Sequence, residues 1–269
     1  MSNLPNPKEF KSFKADLSKS IKFDEVEPNY NLFKIYDVLI NNSIPGGYIS
    51  KLFDLEILQH NPRAKKILKE FICYSKIDDS LAIVLKDKEE IKTIAINRAK
   101  DQEGNIIKWK TLGSKKYIQY KIKDDFIFIV FGMAEILLCE LFDISYISFQ
   151  SDSIAKSLKH HMQWQEDIKP MIQNKYLILL LDNDDSCRNT INPIKEEMAT
   201  PERAIPIEME EMEIMEKAFL YGGKLKNEIP KGFDFRDYCN EIKNPKKIEE
   251  ILKEIIKAKL WILMILKKI

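Results

Sequence analysis

The stretch Leu177-Ile178-Leu179-Leu180-Leu181-Asp182-Asn183-Asp184-Asp185 constrains this chain more than any other. Large apolar residues run unbroken to Leu181 and give way at once to acids. An apolar run of this length without polar alternation predicts a strand buried on both faces, as in parallel α/β sheets. Such sheets bind ligands at the carboxyl ends of their strands. Asp182 and Asp184 stand two apart, so on an extended segment both carboxylates leave the same side and can share one hard cation. The competing reading is an acidic turn in which Asp182 or Asp185 caps the next helix.

The surroundings of this stretch alternate. Phe126 to Phe131 reads as a buried strand, Gly132 as a tight turn, Met133 to Phe142 as a helix and Ile144 to Phe149 as the next strand. Asp152 to His161 reads as helical, Tyr176 to Leu181 as the third strand, Ser186 to Met198 as a helix and Arg203 to Ile207 as a fourth strand. Alternating β and α segments at this spacing predict right-handed crossovers and a parallel sheet. Glu208 to Phe219 reads as an acidic, methionine-rich helix, in which methionine at helical spacing is core filler. The loop Pro230 to Tyr238 carries Asp234 and Asp237, and a C-terminal helix starts at Pro245.

Upstream the texture differs. Ser80 to Leu85, Ile91 to Arg98, Ile106 to Thr111 and Lys116 to Ile122 are short β-rich segments, which predict a small antiparallel sheet. Arg98, Lys108, Lys110, Lys115 and Lys116 decorate it, and alternation puts Lys108 and Lys110 on one face with Trp109 on the other. These cations either face a nucleic acid or form the wet side of a two-sided sheet. Asn31 to Ser75 has helical spacing around a Pro45-Gly46-Gly47 turn, after a polar arm over residues 1–30.

A formal charge of +1 on 269 residues predicts no partner by itself, but local charge does. Asn105 to Lys123 holds six lysines and no acid, and Asp182 to Lys217 holds eleven acids against four bases. A basic lobe beside an acidic one suits a polyanion held near a cation. Cys73, Cys139, Cys187 and Cys239 are scattered, and with three histidines they predict neither a zinc site nor a disulfide framework. His60 reads as a lone surface histidine, and His160-His161 as residues late in a helix, where the C-terminal carbonyls favour cations. Reduced thiols and the lack of a twenty-residue apolar span predict a cytoplasmic protein with no membrane segment.

The region from Asp79 to Tyr238 resembles the Toprim catalytic core of bacterial and phage-type DNA primases. The first matching element is Ile129-Val130-Phe131-Gly132-Met133-Ala134-Glu135, the second is Leu181-Asp182-Asn183-Asp184-Asp185, and the third is Lys231-Gly232-Phe233-Asp234-Phe235-Arg236-Asp237-Tyr238. Ser80 to Leu85, Asn97-Arg98, Lys108-Trp109-Lys110 and Gly113-Ser114 resemble the basic sheet that precedes Toprim in primases. Two positions depart from the pattern: the glutamate expected before Gly132 is Phe131, and the glycine expected after the second motif is Cys187.

The resemblance implies a Rossmann-type Toprim sheet over residues 124–240, behind a helical region over 1–78 and a basic β-rich subdomain over 79–123, with a C-terminal helix over 241–269. It implies catalytic roles for Glu135, Asp182 and Asp184, and Mg²⁺ or Mn²⁺ on Asp182, Asp184, Asp234 and Asp237. It further implies single-stranded DNA on Arg98, Lys108, Lys110, Lys115 and Lys116, with nucleoside triphosphates as substrates and a replicative helicase as partner. The expected activity is primer synthesis for a plasmid, prophage or related element. A catalytically inactive nucleic-acid-binding descendant and a Toprim nuclease are the alternatives.

Overall fold

The computed structural model describes residues 26–27, 57, 61–75, 80–88, 90–97, 103–107, 109–208 and 234–266. Arg98, Lys108, His60, most of the helical region read before residue 61, and the helix read over 208–219, apart from Glu208, lie outside the described residues.

In chain order the elements are β1 (Val26–Glu27), α1 (Ala64–Phe71), β2 (Ile72–Ser75), β3 (Ser80–Asp87), β4 (Glu90–Asn97), β5 (Trp109–Gly113), β6 (Gln119–Lys121), β7 (Phe126–Phe131), α2 (Met133–Leu141) and β8 (Tyr146–Phe149). They continue with α3 (Asp152–Ala155), α4 (Lys169–Ile172), β9 (Tyr176–Leu181), α5 (Asp185–Arg188), α6 (Ile191–Glu196), β10 (Ala204–Glu208), α7 (Phe235–Ile242) and α8 (Pro245–Leu266). Strands β1 to β5 form one antiparallel sheet in sequence order. The second sheet has the order β10-β9-β7-β8-β6, parallel except for its β6 edge. The chain is therefore α/β, with a mostly parallel sheet preceded by an antiparallel one.

The apolar runs explain why the second sheet is covered on both sides. Side chains alternate along a strand. Ile127, Ile129 and Phe131 of β7, with Leu177, Leu179 and Leu181 of β9, face one core together with Trp164 and Ile194. Phe128, Val130, Ile178 and Leu180 face the opposite core with α1, α2, α7 and α8. A fully buried aliphatic or aromatic side chain contributes roughly 1.5–3 kcal/mol, so a strand apolar on both faces has no stable exposed alternative.

Several expected elements are shorter or differently paired. The strand read over 116–122 shrinks to β6 and joins the second sheet, antiparallel to β8, rather than the basic sheet. Ile72 to Ser75, read as helical, is strand β2, because its backbone completes the ladder beside β3 from Ile72↔Ile83 to Ser75↔Ser80. The single helix read over 152–161 breaks into α3 and a 3₁₀ turn at Leu158–His160, followed by a wide π-type turn at Trp164–Ile168. The helix read over 186–198 splits at Asn189-Thr190 into α5 and α6.

Three side chains from the second sheet's side grip the linker between the sheets. Gln163 mimics a peptide: its Oε1 accepts from the Ile118 N–H (2.8 Å) and its Nε2 donates to the Ile118 carbonyl (2.9 Å). His161 accepts at Nδ1 from the Trp164 N–H (3.3 Å), so Nε2 carries the proton and donates to the Lys116 carbonyl (2.7 Å). Gln150 Nε2 donates to the carbonyls of Tyr117 (2.8 Å) and Ser114 (3.2 Å). Across the same junction Gln119 Oε1 accepts from the Lys86 N–H (2.9 Å). We expect Gln163→Ala, which leaves a buried N–H and carbonyl unpaired, to cost about 2–3 kcal/mol in denaturant melts. A loss below about 0.5 kcal/mol would show that water replaces the amide without penalty.

Candidate functional site

The carboxyl edge of the parallel sheet is where the predicted acids meet. Strands β7 and β9 are hydrogen-bonded neighbours with Ile129 opposite Leu179, and the same register sets Gly132 beside Asp182. Gly132 has φ +122°, a conformation that glycine adopts at little cost. Its N–H donates to the Phe149 carbonyl (3.0 Å) and its carbonyl accepts from Ser148 Oγ (2.9 Å), which fixes the turn to β8. A Cβ on Gly132 would collide with Oε2 of Glu135, so the glutamate folds back over the turn from the first helical turn of α2. Glu135 is buried there, at 4% exposure.

Asp182 follows β9 directly. Burial, then the charges of Glu135, Asp234, Asp184 and Asp152, push its carboxyl up to about 8. One half-buried acid thus feels four others, drawn from the ends of β7, β8 and β9 and from the start of α7. This is the pattern of a site short of positive charge.

The other acids carry structural duties. Asp184 does not stand beside Asp182 on an extended strand; its N–H turns back onto the Asp182 carbonyl (2.7 Å), and its Oδ1 accepts from the Cys187 N–H (2.7 Å) as the N-cap of α5. The cap is therefore real, at Asp184 rather than at Asp182 or Asp185. Asp234 and Asp237 form a reciprocal capping box at the start of α7, with Asp234 Oδ1 accepting from the Asp237 N–H (2.8 Å) and Asp237 Oδ2 from the Asp234 N–H (3.4 Å). Arg236 takes the remaining charge, at 2.9 Å from Asp234 Oδ2 and 3.6 Å from Asp237 Oδ1.

The fit to a metal ion follows from these donors. Among the described residues, no three His, Cys, Asp or Glu side chains are grouped so as to enclose a metal ion. Magnesium does not require such a cage, since it is usually held by one or two carboxylates, with waters and substrate phosphates filling the octahedron. Asp182 and Glu135 fit that partial donor set, whereas Asp184 already spends Oδ1 on the cap of α5. Asp234 and Asp237, expected as ligands, are instead occupied by the cap and by Arg236.

Phe131 lies in the core, its ring 5.8 Å from that of Phe149, which stands 6.0 Å from Trp164. Its side chain points away from the acids, into the packing beneath the sheet.

The basic residues divide. Lys115 and Lys116 are exposed on the turn before β6. Since Gln119 pairs with Ser148 in antiparallel register, that turn emerges at the same edge as Asp182. Three strand spacings separate the two, or about 14 Å. Lys110 lies opposite Ile96 on β4, on the antiparallel-sheet face that carries Ile94, Ile96 and Leu112. Arg98 and Lys108 are outside the described residues. Sequence reasoning assigned no role to Asp152, Lys156 or Arg236. Asp152 could have been found, because it lies three residues past the end of β8, at the edge where Asp182 follows β9. Lys156 Nζ donates to Ser186 Oγ (3.0 Å), a contact between α3 and α5 that no local pattern announces.

No protein-family model and no curated protein sequence matches the chain. Among solved structures, it is similar to the primase fragment of the bacteriophage T7 primase-helicase protein, at 13% identity and a TM-score of 0.42, covering 72% of each chain. It is also similar to a structure of the bacteriophage T7 lagging-strand DNA polymerase interacting with primase domains bound to an RNA/DNA hybrid and dTTP. That match has 13% identity and a TM-score of 0.40, covering 70% of this chain and 85% of the other.

Proposed function

We propose that this chain is a primase-like protein that binds single-stranded DNA and carries out cation-dependent nucleotidyl transfer at the edge formed by Asp182 and Glu135. The carrying observation is Asp182, half-buried, under the charge of four other acids and raised to about 8 at the ligand-binding end of a parallel sheet. In this reading Asp182 and Glu135 would hold Mg²⁺ or Mn²⁺ together with the phosphates of a nucleoside triphosphate. The ion supplies charge neutralisation at the phosphoryl oxygens. Lys115 and Lys116 neutralise template phosphates on the same edge, and the clamps from Gln150, His161 and Gln163 keep that turn in place.

Calorimetric titration of Mn²⁺ with a nucleoside triphosphate present tests the reading. Binding to wild type that is lost in Asp182→Asn is the expected result, and no binding to either protein sinks it. For the template, Lys115→Ala/Lys116→Ala should lower the slope of log K against log salt by about 1.4 on single-stranded DNA, at about 0.7 per phosphate contact. An unchanged slope would move the DNA elsewhere.

A second reading, an inactive descendant that only binds nucleic acid, is favoured by the capping duties of Asp184, Asp234 and Asp237. It predicts salt-sensitive DNA binding in wild type and in Asp182→Asn alike, with no nucleotide-dependent cation binding.

A further inference from the structure

We infer that Lys156 is a phosphate-binding residue that faces the acidic edge from its other side and takes the terminal phosphates of a nucleoside triphosphate, so that the site selects a triphosphate over a monophosphate. The inference rests on the reading of the edge as a cation and nucleotide site.

The sheet order sets its position. Strand β7 lies between β8 and β9, α3 begins three residues past the end of β8, and α5 begins four residues past the end of β9. Ile154 and Ala155 of α3 and Cys187 of α5 pack in one core, so both helices cover the same face of the sheet. Lys156 Nζ donates to Ser186 Oγ at 3.0 Å and so reaches from one helix to the other past the end of β7, where Gly132 turns. Two strand spacings, or about 10 Å, separate the strands it bridges. Helices α2 and α7, which carry Glu135 and Asp234, pack on the opposite core. Asp182 therefore has the carboxylates of α2 and α7 on one side and this lysine on the other.

Its bonding leaves the charge available. The Lys156 N–H donates to the Asp152 carbonyl (2.9 Å), which puts Asp152 one helical turn behind it, the spacing at which an acid and a lysine ordinarily pair. Among the described residues Lys156 makes no ion pair with Asp152 or any other acid, and its side chain bonds a neutral hydroxyl instead. The neighbouring cations are committed, Arg236 to Asp234 and Arg188 to Asp185. Lys156 and Ser186 are both exposed, so a ligand can reach them. The phosphate that reacts at Asp182 and Glu135 would be neutralised by the cation held there, whereas the phosphates beyond it meet acids that repel them. An ammonium beside a hydroxyl answers that need, since lysine serves phosphate as a point charge. A monophosphate has nothing to place there.

The test is calorimetric binding of adenosine triphosphate and adenosine monophosphate, in millimolar Mn²⁺, to wild type, Lys156→Ala, Lys156→Gln and Lys156→Arg. Lys156→Ala should weaken the triphosphate about tenfold and leave the monophosphate within about twofold of wild type. Lys156→Gln keeps a donor for Ser186 and removes only the charge, so it should show the same loss, while Lys156→Arg should recover most of the affinity. An equal loss for both nucleotides overturns the inference, because Lys156 would then only hold α3 against α5. A triphosphate affinity unchanged in Lys156→Ala overturns it as well. Should Lys156→Ala fail to fold, Lys156→Gln decides by the same comparison. If the monophosphate is too weak to read in every protein, the arginine variant decides, since only restored charge should restore the triphosphate. Asp182→Asn separates the two claims. Triphosphate binding lost in Asp182→Asn but kept in Lys156→Ala removes this inference alone, whereas no binding to wild type removes the reading of the edge and the inference with it.

Discussion

Asp182→Asn should make the cation-free protein more stable and the loaded protein inactive. The stability half follows from the carboxyl that burial and four neighbouring acids raise from 3.8 to about 8. Below pH 3.8 the group is protonated whether the chain is folded or not, and it contributes nothing. Between the two values the unfolded chain ionises while the folded one keeps its proton, so stability falls as pH rises. The full penalty is present above pH 8. At about 1.4 kcal/mol per unit, the ceiling is near 6 kcal/mol. Asparagine removes the titration, and because the neighbouring acids readjust, a gain on the order of 2 kcal/mol is expected. That is about 4–8 °C in a chain of this size. In EDTA the gap between variant and wild type should be small at pH 5 and open toward pH 9. A gap that does not change with pH would show that Asp182 is not the titrating group. Activity should move the other way, with transfer falling by a factor on the order of 10²–10⁴.

Phe131→Glu, which writes into this chain the strand-end glutamate that the sequence resemblance leads one to expect, should cost stability and restore nothing. Phe131 packs against Phe149 and within the core that includes Trp164, Leu179 and Leu181. Truncating a buried phenylalanine costs about 3–5 kcal/mol, and a carboxyl in the same space adds desolvation or stays protonated. A loss near 5 kcal/mol, read from denaturant midpoints at constant slope, is expected. Phe131→Leu should lose less than about 1.5 kcal/mol, since it keeps most of the volume. If Phe131→Glu melted like wild type, its side chain would have turned out of the core toward Asp182, and the assignment of Glu135 to the strand end would be wrong.

The two variants locate the difference between motif and site. A strand-end motif places an acid by its distance from a turn. Glu135 reaches the edge by folding back over a glycine at φ +122°. Position along the chain marked Glu135 as one helical turn away from the strand end. Only the backward tilt of side chains on a helix, together with the space above Gly132, brings its carboxylate to Asp182. Asp234 and Asp237 show the converse. The resemblance implied two ligands in that loop, but their spacing of three closes a capping box around the start of α7.

The strands were legible because burial leaves a mark in composition. Phe126 to Phe131 and Tyr176 to Leu181 were bounded to the residue, since a strand covered on both faces must be apolar at every position. Helices α3 to α6 were less legible. They are a few residues each and take their places from the core they cover, around Trp164 and Ile194, rather than from their own propensity.

By itself the sequence determined the two-textured α/β architecture, the order of the strands along the chain and the acidic end of β9. These follow from periodicity and apolar length, which are local. The tertiary structure alone decided that β6 leaves the basic sheet for the parallel one, that the Lys115-Lys116 turn shares an edge with Asp182, and that acids from separate segments act on Asp182. Those facts depend on which strands pair and how side chains fill the space between them, and hydrogen bonds between residues 45 apart, such as Gln163 with Ile118, leave no trace in a local pattern.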